Sequence, residues 1–336
     1  MGEANEIVLD VQNLRVTFRS EDGDVRAVRG LSYELGLGET LAVVGESGSG
    51  KSVTHLAMMD LLPATAVINA DRLRLVGRNL LEMSPREKRR MRGSDMAMIF
   101  QDPMTSLNPF STLGTQIAEM LRLHRGLRGK ALREAAIQAL DEVGIPNAEA
   151  RIEQYPHEFS GGMRQRAMIA MMLAGEPEVL IADEPTTALD VTVQAQIMEL
   201  LGSLQRERGM SIILITHDLG LVAGSSHRVA VMYAGRIVEQ GTTEEIFADP
   251  RHPYTRGLLA SVPRLDQEGG ELYQIPGTPP DLAHLEPGCP FRERCEFAIE
   301  ECASREPDLV DARPGHSVAC HVELETFEPG TAEAGA

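Results

Sequence analysis

Residues 45–52 read "GESGSGKS", a set of residue types that suits the binding of a phosphate chain. The glycines let the backbone wrap an anion with its N–H groups turned inward, Lys51 adds a mobile positive charge, and the Ser52 hydroxyl can bind Mg²⁺. A predicted apolar strand precedes the loop and a predicted helix follows it, which favours phosphate binding over an ordinary glycine-rich turn. The pattern predicts that the phosphates of ATP are held by Gly45, Glu46, Ser47, Gly48, Ser49, Gly50, Lys51 and Ser52.

An acidic pair ends the apolar stretch "VLIADEP" at residues 179–185. Asp183 would lie at the carboxyl end of a parallel strand, where α/β sheets bind their ligands, and it suits a Mg²⁺ ligand. Glu184 would then lie beside the γ-phosphate, where a carboxylate can polarise an attacking water. Taken alone the pair is an ordinary acidic strand end, but together with the phosphate loop it predicts hydrolysis of the nucleotide.

A second glycine-rich segment, "FSGGMRQR", occupies residues 159–166. Its serine and two glycines open a predicted helix whose first N–H groups can receive an anion. One nucleotide does not need two such sites this far apart in sequence, whereas two facing subunits do. The segment therefore predicts that ATP on a neighbouring subunit is contacted by Ser160, Gly161 and Gly162.

All four cysteines of the chain lie after residue 288, with the spacing C-x₅-C-x₆-C-x₁₇-C. Four thiolates from one segment can close around a tetrahedral metal ion or an iron–sulfur cluster and so staple a region that has little apolar content. Structural zinc sites usually contain a tight C-x₂₋₄-C pair, which this spacing does not provide. The spacing favours a [4Fe–4S] cluster, with zinc or unliganded reduced thiols as the alternatives, and the expected ligands are Cys289, Cys295, Cys302 and Cys320.

An α/β framework must position these groups, and the apolar pattern predicts one. Residues 7–20 alternate with period two, as a half-exposed antiparallel strand does, and residues 101–160 are typical of a helical insertion. Beyond about residue 250 proline and glycine become frequent, so we predict an ATPase domain at 1–250 and a loop-rich C-terminal region at 251–336. Short apolar runs that alternate with helical patterns predict a largely parallel sheet, with strands at 39–45, 96–100, 178–183, 211–218 and 228–235.

The composition limits which classes of protein this chain can belong to. With 336 residues, 43% of them apolar, the chain can bury a sizeable core, and a net charge of −18 argues against a nucleic-acid binder. The first ten residues have neither a basic start nor an apolar stretch, so we expect no signal peptide there, and the longest strongly apolar run, residues 167–175, is too short to span a bilayer. We expect a soluble, cytoplasmic chain, in which clustered cysteines are ligands or reactive groups more often than disulfides.

The phosphate loop and the "SGG" segment together resemble the nucleotide-binding subunits of ABC transporters, in which this signature from one subunit closes over ATP held by the other. The signature departs from the commonest form, L-S-G-G-Q, at Phe159 and Met163. The resemblance implies a P-loop ATPase of the ABC type, with a RecA-like core, an antiparallel β subdomain and a helical subdomain at about residues 101–160.

The same resemblance implies roles for residues outside the two glycine-rich segments. Each role is carried over to the position that matches the family's motif in this sequence. The residues are Gln101 as a sensor of Mg²⁺ and the attacking water, Asp190 of "TALD" (187–190) in the loop that crosses between subunits, His217 as the γ-phosphate switch, and Phe18 as the aromatic that stacks on adenine.

Four longer stretches are similar to the ATPase subunits of oligopeptide and dipeptide importers, and "MTSLNP" is similar to the D-type subunit, which is paired with a second, non-identical ATPase. The resemblance implies ATP-driven import of peptides, with nickel or another small solute as the alternative cargo. An ABC ATPase of translation or DNA repair is disfavoured, because the chain has one cassette and no heptad run. The stretches are residues 99–109, 155–166, 183–198 and 251–265.

The resemblance also implies partners and a location. The partners are the second ATPase, two integral membrane permease subunits and an extracytoplasmic substrate-binding protein, with no nucleic acid. The chain would lie peripherally on the cytoplasmic face of the inner membrane, docked through the segment after Gln101. A [4Fe–4S] cluster in the cysteine-bearing tail is the expectation for this branch.

Overall fold

The computed structural model describes most of the chain, namely residues 6–20, 23–187, 189–262 and 273–324. Some positions that the sequence analysis singled out lie outside these residues. They are Ala188 of the "TALD" segment, the last residues of the 251–265 stretch, and one end of each predicted domain. The described chain forms two compact units. Among the described residues, the first comprises 6–9, 35–39, 74–187 and 189–214, and the second comprises 10–20, 23–34, 40–73, 215–262 and 273–324.

The secondary structure alternates between strands and helices along most of the chain. The strands are β1 (Ile7–Phe18), β2 (Val25–Gly36), β3 (Thr40–Val44), β4 (Ala66–Asn69), β5 (Arg72–Leu75), β6 (Arg78–Asn79), β7 (Met96–Ile99), β8 (Val179–Asp183), β9 (Ser211–Thr216), β10 (Arg228–Tyr233), β11 (Arg236–Thr242), β12 (Val310–Arg313) and β13 (His316–Val318). The helices are α1 (Lys51–Met58), α2 (Pro85–Ser94), α3 (Pro103–Ser106), α4 (Leu113–Arg125), α5 (Gly129–Glu142), α6 (Ala148–Arg151), α7 (Gly161–Leu173), α8 (Val191–Arg208), α9 (Leu219–Val222), α10 (Thr243–Ala248), α11 (Pro253–Ala260) and α12 (Glu301–Ser304), with 3₁₀ turns at Pro156–Glu158 and Arg292–Arg294.

The first unit combines a parallel strand pair with most of the helices. Strands β7 and β8 pair in parallel with Ile99 opposite Ala182, and every residue of both strands is buried. Strands buried on both faces read as continuous apolar runs, which is why both were visible in the sequence. Helices α4, α5, α7 and α8 supply much of the remaining apolar interior, including Ile117, Leu121, Leu140, Met168 and Ile197.

The second unit is built around β3 and β10, which also pair in parallel, with Val44 opposite Val231. The order of strands from the edge inward is β12, β13, β11, β10 and β3, and the pairings from β10 outward are antiparallel. Strand β1 pairs antiparallel with β4, with Phe18 opposite Ala66. The core of this unit includes Val44, Val231, Tyr233, Ile246, Tyr254 and Phe291.

The predicted strands are confirmed, each to within two residues at either end. The alternating segment at 7–20 forms β1, and residues 101–160 contain helices and turns without a strand. The sequence did not predict the hairpin of β12 and β13, because strands of three or four residues are too short to show an alternating pattern. The domain boundaries at 250 and 251 stay predictions. In the part of the chain that is described, no helix has the length and apolar character needed to cross a membrane.

A buried carboxylate ties the C-terminal segments to the sheet. Glu239 on β11 is fully buried, and one of its oxygens accepts hydrogen bonds from His316 Nε2 at 2.7 Å and from the Arg251 N–H at 2.6 Å. Its other oxygen accepts from the His252 N–H at 3.0 Å. A buried carboxylate is tolerated when its lone pairs are satisfied in this way, so Glu239 fixes β13 and the start of α11 together.

We predict that Glu239→Ala destabilises the protein by about 3 kcal/mol, because it leaves buried donors without an acceptor. The measurement is the urea-unfolding midpoint of the full chain. Glu199→Ala is the matched control, since Glu199 is exposed on α8, and it should leave the midpoint nearly unchanged. Equal midpoints for the Glu239 variant and the wild-type chain would contradict this role.

Candidate functional site

The loop at residues 45–52 joins the buried strand β3 to helix α1. Three of its glycines have left-handed backbone angles: Gly45 at φ 152°, Gly48 at φ 81° and Gly50 at φ 98°, the last of these capping α1. A Cβ atom on Gly45 would lie 2.2 Å from the Met232 carbonyl oxygen, and one on Gly50 would lie 2.5 Å from the Ala27 carbonyl oxygen. Both positions require glycine, because neighbouring backbone presses against the loop.

Two polar side chains of the loop have the placement that a phosphate site needs. Lys51 is buried and its Nζ donates to the Gly45 carbonyl at 2.6 Å and to the Glu46 carbonyl at 2.9 Å, so it curls back over the loop. The Ser49 Oγ is buried without a hydrogen-bond partner among the described residues. Ser52 lies half-buried in the first turn of α1, while Ser47 and Gly48 are exposed at the tip of the loop.

The C-terminal region supplies two residues that bind the second residue of this loop, and the sequence pattern did not single them out. The Glu46 N–H donates to Tyr254 Oη at 2.8 Å. Arg294 donates to both carboxylate oxygens of Glu46, at 2.7 and 2.9 Å, and this hydrogen bonding is the chief reason that the pKa of Arg294 is raised. The only sequence signal was indirect: Arg294 stands immediately before a cysteine.

The acidic end of β8 places Glu184 beside Gln101. Gln101 follows β7, the parallel neighbour of β8, and its Nε2 donates to Glu184 Oε2 at 2.8 Å. Thr187 Oγ1 donates to the same oxygen at 2.9 Å. Glu184 has a left-handed backbone with φ 46°, a strained conformation for a residue with a side chain. Asp183, one residue earlier, is buried at the end of the strand.

The "SGG" segment opens helix α7, as expected. The Met163 N–H donates to Ser160 Oγ at 3.4 Å, which makes Ser160 the N-cap, and both Ser160 and Gly161 are exposed. A Cβ on Gly162 would lie 2.8 Å from a methyl group of Val193 on α8, so the start of α7 packs against the start of α8. Asp190 caps α8 by accepting from the Val193 N–H at 3.0 Å.

The remaining two predicted nucleotide contacts lie at strand ends. Phe18 is the last residue of β1 and is half-buried. His217 follows β9 directly and is exposed. Within the first unit the structure brings Gln101 and Glu184 together, and within the second it assembles the phosphate loop with Tyr254 and Arg294.

The four cysteines line one small pocket in the second unit. Burial raises the pKa of the Cys289 thiol and that of the Cys295 thiol to about 11, and burial also raises the pKa of Cys320. The backbone N–H groups of Phe291, Phe297 and Val322 partly oppose this rise in the pKa of Cys289, Cys295 and Cys320 respectively, and the Val322 N–H donates to Cys320 Sγ at 3.4 Å. Across the described ranges, no three His, Cys, Asp or Glu side chains are placed to hold a metal ion.

Comparisons with protein families and with curated proteins point to one kind of protein. A family profile described as "ABC transporter" matches residues 28–187, and one described as "Oligopeptide/dipeptide transporter, C-terminal region" matches residues 238–302. The dipeptide transport ATP-binding protein DppD of Bacillus subtilis is 53% identical over 324 residues, covering 96% of this chain and 97% of its own length. The oligopeptide transport ATP-binding protein OppD of Salmonella typhimurium is 52% identical over 319 residues, covering 95% of each chain.

Comparison with solved structures also finds ATP-binding cassettes of the ABC type. The structure of cbiO1 from Clostridium perfringens, part of the ABC transporter complex cbiONQ, is 30% identical with a TM-score of 0.60, covering 72% of this chain and 91% of that chain. The ATP-binding cassette MJ0796, solved bound to ADP and Pi, is 24% identical with a TM-score of 0.61, covering 70% of this chain and 98% of that chain. These matches confirm the predicted α/β fold of the ABC type.

We predict that Gly45→Ala weakens ATP binding by about ten-fold or more, because the added methyl group collides with backbone and must displace the loop. Titration of the full chain with ATP and Mg²⁺ measures the change. Gly209→Ala is the matched control: Gly209 also has a left-handed backbone, with φ 66°, yet its Cβ would meet no atom within 4 Å. A Gly45 variant that binds ATP as tightly as the Gly209 variant would contradict the close packing of the loop.

Proposed function

This chain belongs to the ABC transporter family of ATP-binding proteins, and we propose that it is the ATP-hydrolysing motor of a peptide importer. The observation that carries the proposal is identity above 50% along nearly the whole chain to transport ATP-binding proteins for dipeptides and oligopeptides. The matched C-terminal region supports the same branch of the family. Nickel or another small solute in place of peptide is an outcome that a transport assay decides.

The phosphate loop at 45–52 binds the phosphates of ATP in this proposal. Its left-handed glycines turn the backbone, the buried Lys51 is available to exchange its loop carbonyls for phosphate oxygens, and the unpartnered Ser49 hydroxyl offers one more donor. Ser52, Asp183 and Gln101 are the residues that would hold Mg²⁺, which neutralises phosphate charge when bound. Phe18 stacks on the adenine ring.

Glu184 is the general base that polarises the attacking water. Two donors, Gln101 Nε2 and Thr187 Oγ1, bind one of its carboxylate oxygens and fix its direction. His217 contacts the γ-phosphate and completes the group of residues that respond to hydrolysis.

The signature at Ser160, Gly161 and Gly162 closes over ATP on a partner ATPase. The exposure of the first two residues at the start of α7 supports this role, because an anion can approach the helix N-terminus directly. Asp190, at the start of the neighbouring α8, lies on the crossing segment between subunits. The partner is a second, non-identical ABC ATPase of the same importer.

The proposed importer also contains membrane partners. Two integral permease subunits carry the peptide path, an extracytoplasmic binding protein delivers the peptide, and this chain lies peripherally on the cytoplasmic face of the inner membrane. Residues 101–160 carry the closure of the ATPase pair to a permease subunit, and Phe110, 91% exposed in this segment, supports a docking role for it.

Cys289, Cys295, Cys302 and Cys320 are the residues that would hold a [4Fe–4S] cluster in the C-terminal region, and its binding would draw together thiols that the chain alone does not place as metal ligands. Their sulfurs line one pocket, and Cys320 Sγ accepts a hydrogen bond from the Val322 N–H at 3.4 Å, a contact that stabilises a thiolate. The buried thiols carry raised pKa values in the chain alone, and a bound cation supplies the positive charge that favours the thiolate form. Zinc is the alternative occupant.

We predict that Glu184→Gln in the assembled transporter stops ATP turnover and peptide uptake while ATP binding persists, because the amide cannot polarise water. The expected loss of turnover is about 100-fold or more. Lys51→Ala is the contrasting variant and should weaken ATP binding itself. Near-normal hydrolysis by the Glu184 variant would contradict the assignment of the base, and a wild-type complex that hydrolyses ATP but transports no peptide would contradict the cargo.

We predict that chain purified without oxygen is brown and contains about four irons, as one [4Fe–4S] cluster bound by four thiolates implies. Cys302→Ser, which removes the buried ligand, should lose the iron. Metal analysis and the visible absorption spectrum provide the measurement. Colourless protein with one zinc would exclude the cluster and keep a metal staple, and metal-free protein with a folded C-terminal region would exclude both.

A further inference from the structure

Three groups from different parts of the chain hold the backbone and side chain of Glu46. Its N–H donates to Tyr254 Oη at 2.8 Å, its carbonyl accepts from Lys51 Nζ at 2.9 Å, and its carboxylate accepts two hydrogen bonds from Arg294. Because Tyr254 binds this N–H, the amide of Glu46 already has a partner from outside the loop. The orientation of the Glu46 peptide is therefore set from outside the loop.

Arg294 itself is held rigidly. Its side chain is only 4% exposed, and beyond Glu46 it donates to Tyr233 Oη at 3.3 Å and to the Pro276 carbonyl at 2.9 Å. Its guanidinium lies 5.8 Å from the centres of the Tyr233 and Phe291 rings, within the range of a cation–π contact. A buried, two-pronged arginine–carboxylate pair fixes direction as well as distance.

The position of Arg294 depends on the cysteine segment. Arg294 ends a 3₁₀ turn that lies between Cys289 and Cys295. The Arg292 N–H donates to the Cys289 carbonyl at 3.1 Å, and the Cys295 N–H donates to the Arg292 carbonyl at 3.3 Å, so both cysteines are hydrogen-bonded to this turn. The Cys289 N–H in turn donates to the Cys302 carbonyl at 2.8 Å. A displacement of these cysteines therefore moves Arg294.

We propose that Arg294 and Tyr254 are positioning residues for the phosphate loop, through which the four-cysteine segment sets the affinity of the chain for ATP. The inference rests on the proposed role of residues 45–52 as the nucleotide loop. Lys51 Nζ donates to the Glu46 carbonyl, so a rotation of the backbone at Glu46 would also displace the side chain of this phosphate-binding lysine. The cysteine segment thus acts on nucleotide binding without contacting the nucleotide.

The test is the dissociation constant for ATP with Mg²⁺, measured on the full chain carrying Arg294→Gln, Glu46→Gln or both. Each single change should raise Kd by about ten-fold, because small displacements of binding groups have large effects. The double variant should bind no more weakly than the worse single variant, because either change alone breaks the pair. Arg294→Lys, which keeps the charge, should recover part of the affinity.

Arg292→Gln is the matched control. Arg292 lies in the same turn but binds Glu286 and the Pro287 carbonyl in place of the phosphate loop, so its loss should leave Kd unchanged. Tyr254→Phe provides a second route if the Arg294 variant does not fold, because it removes only the hydroxyl that accepts from Glu46. Unchanged Kd in the Arg294 and Tyr254 variants, or additive effects in the double variant, would overturn the inference.

The link to the cysteines is tested by Cys295→Ser. This change should raise the Kd for ATP in the wild-type background and have no further effect in the Arg294→Gln background, because the path to the loop is already cut. Equal effects in both backgrounds would show that the cysteine acts by another route. Wild-type chain that binds no ATP would contradict the proposed function, whereas ATP binding that ignores all these changes contradicts this inference alone.

Discussion

The phosphate loop holds a backbone shape that its own residues cannot maintain alone, and much of the second unit is arranged to impose that shape. Gly45 and Gly50 lie so close to the carbonyls of Met232 and Ala27 that neither can carry a Cβ atom. The Gly235 N–H donates to the Ser49 carbonyl at 3.0 Å, so the turn after β10 also supports the loop. Turned-in amides can bind an anion tightly only when they are held in place before it arrives.

The same requirement for preorganisation is met differently at the acidic end of β8. Glu184 adopts a left-handed backbone that costs about 1–3 kcal/mol, and such conformations persist only where the surroundings enforce them. Hydrogen bonds from Gln101 and Thr187 hold the Glu184 carboxylate from one side. In the proposed role of Glu184 as general base, a fixed direction of the carboxylate means that little entropy is lost when water and substrate assemble around it.

Paired and hydrogen-bonded charges attach the described C-terminal segments to the sheet. Glu239 gathers three donors in the interior, and Arg294 binds Glu46. Arg29 on β2 makes a two-pronged contact with Glu306 at 2.7 and 3.0 Å, which attaches the segment after Cys302 to the sheet. Paired and hydrogen-bonded charges of this kind are specific in direction, so they define how a loop-rich segment lies on its support. A metal centre in the cysteine pocket would add a covalent constraint to the same scaffold.

The sequence revealed the candidate functional residues wherever they lie together in one short segment. The glycines of 45–52, the acidic end of β8 and the opening of α7 each depend on consecutive residues, and the apolar strands show their burial as unbroken runs. The hairpin of β12 and β13 was not predictable, because its strands are too short to show a pattern and owe their pairing to the edge of β11.

Tertiary structure alone decided which distant residues support these segments. Arg294 beside Glu46 leaves no periodic or motif signal, and Arg294 reaches a residue 248 positions earlier in the chain. A hydrogen bond between such residues depends on the folded backbone bringing two side chains within about 3 Å, a condition that no local pattern encodes. The sequence by itself therefore determined the chemistry of this protein, and the fold determined what holds that chemistry in place.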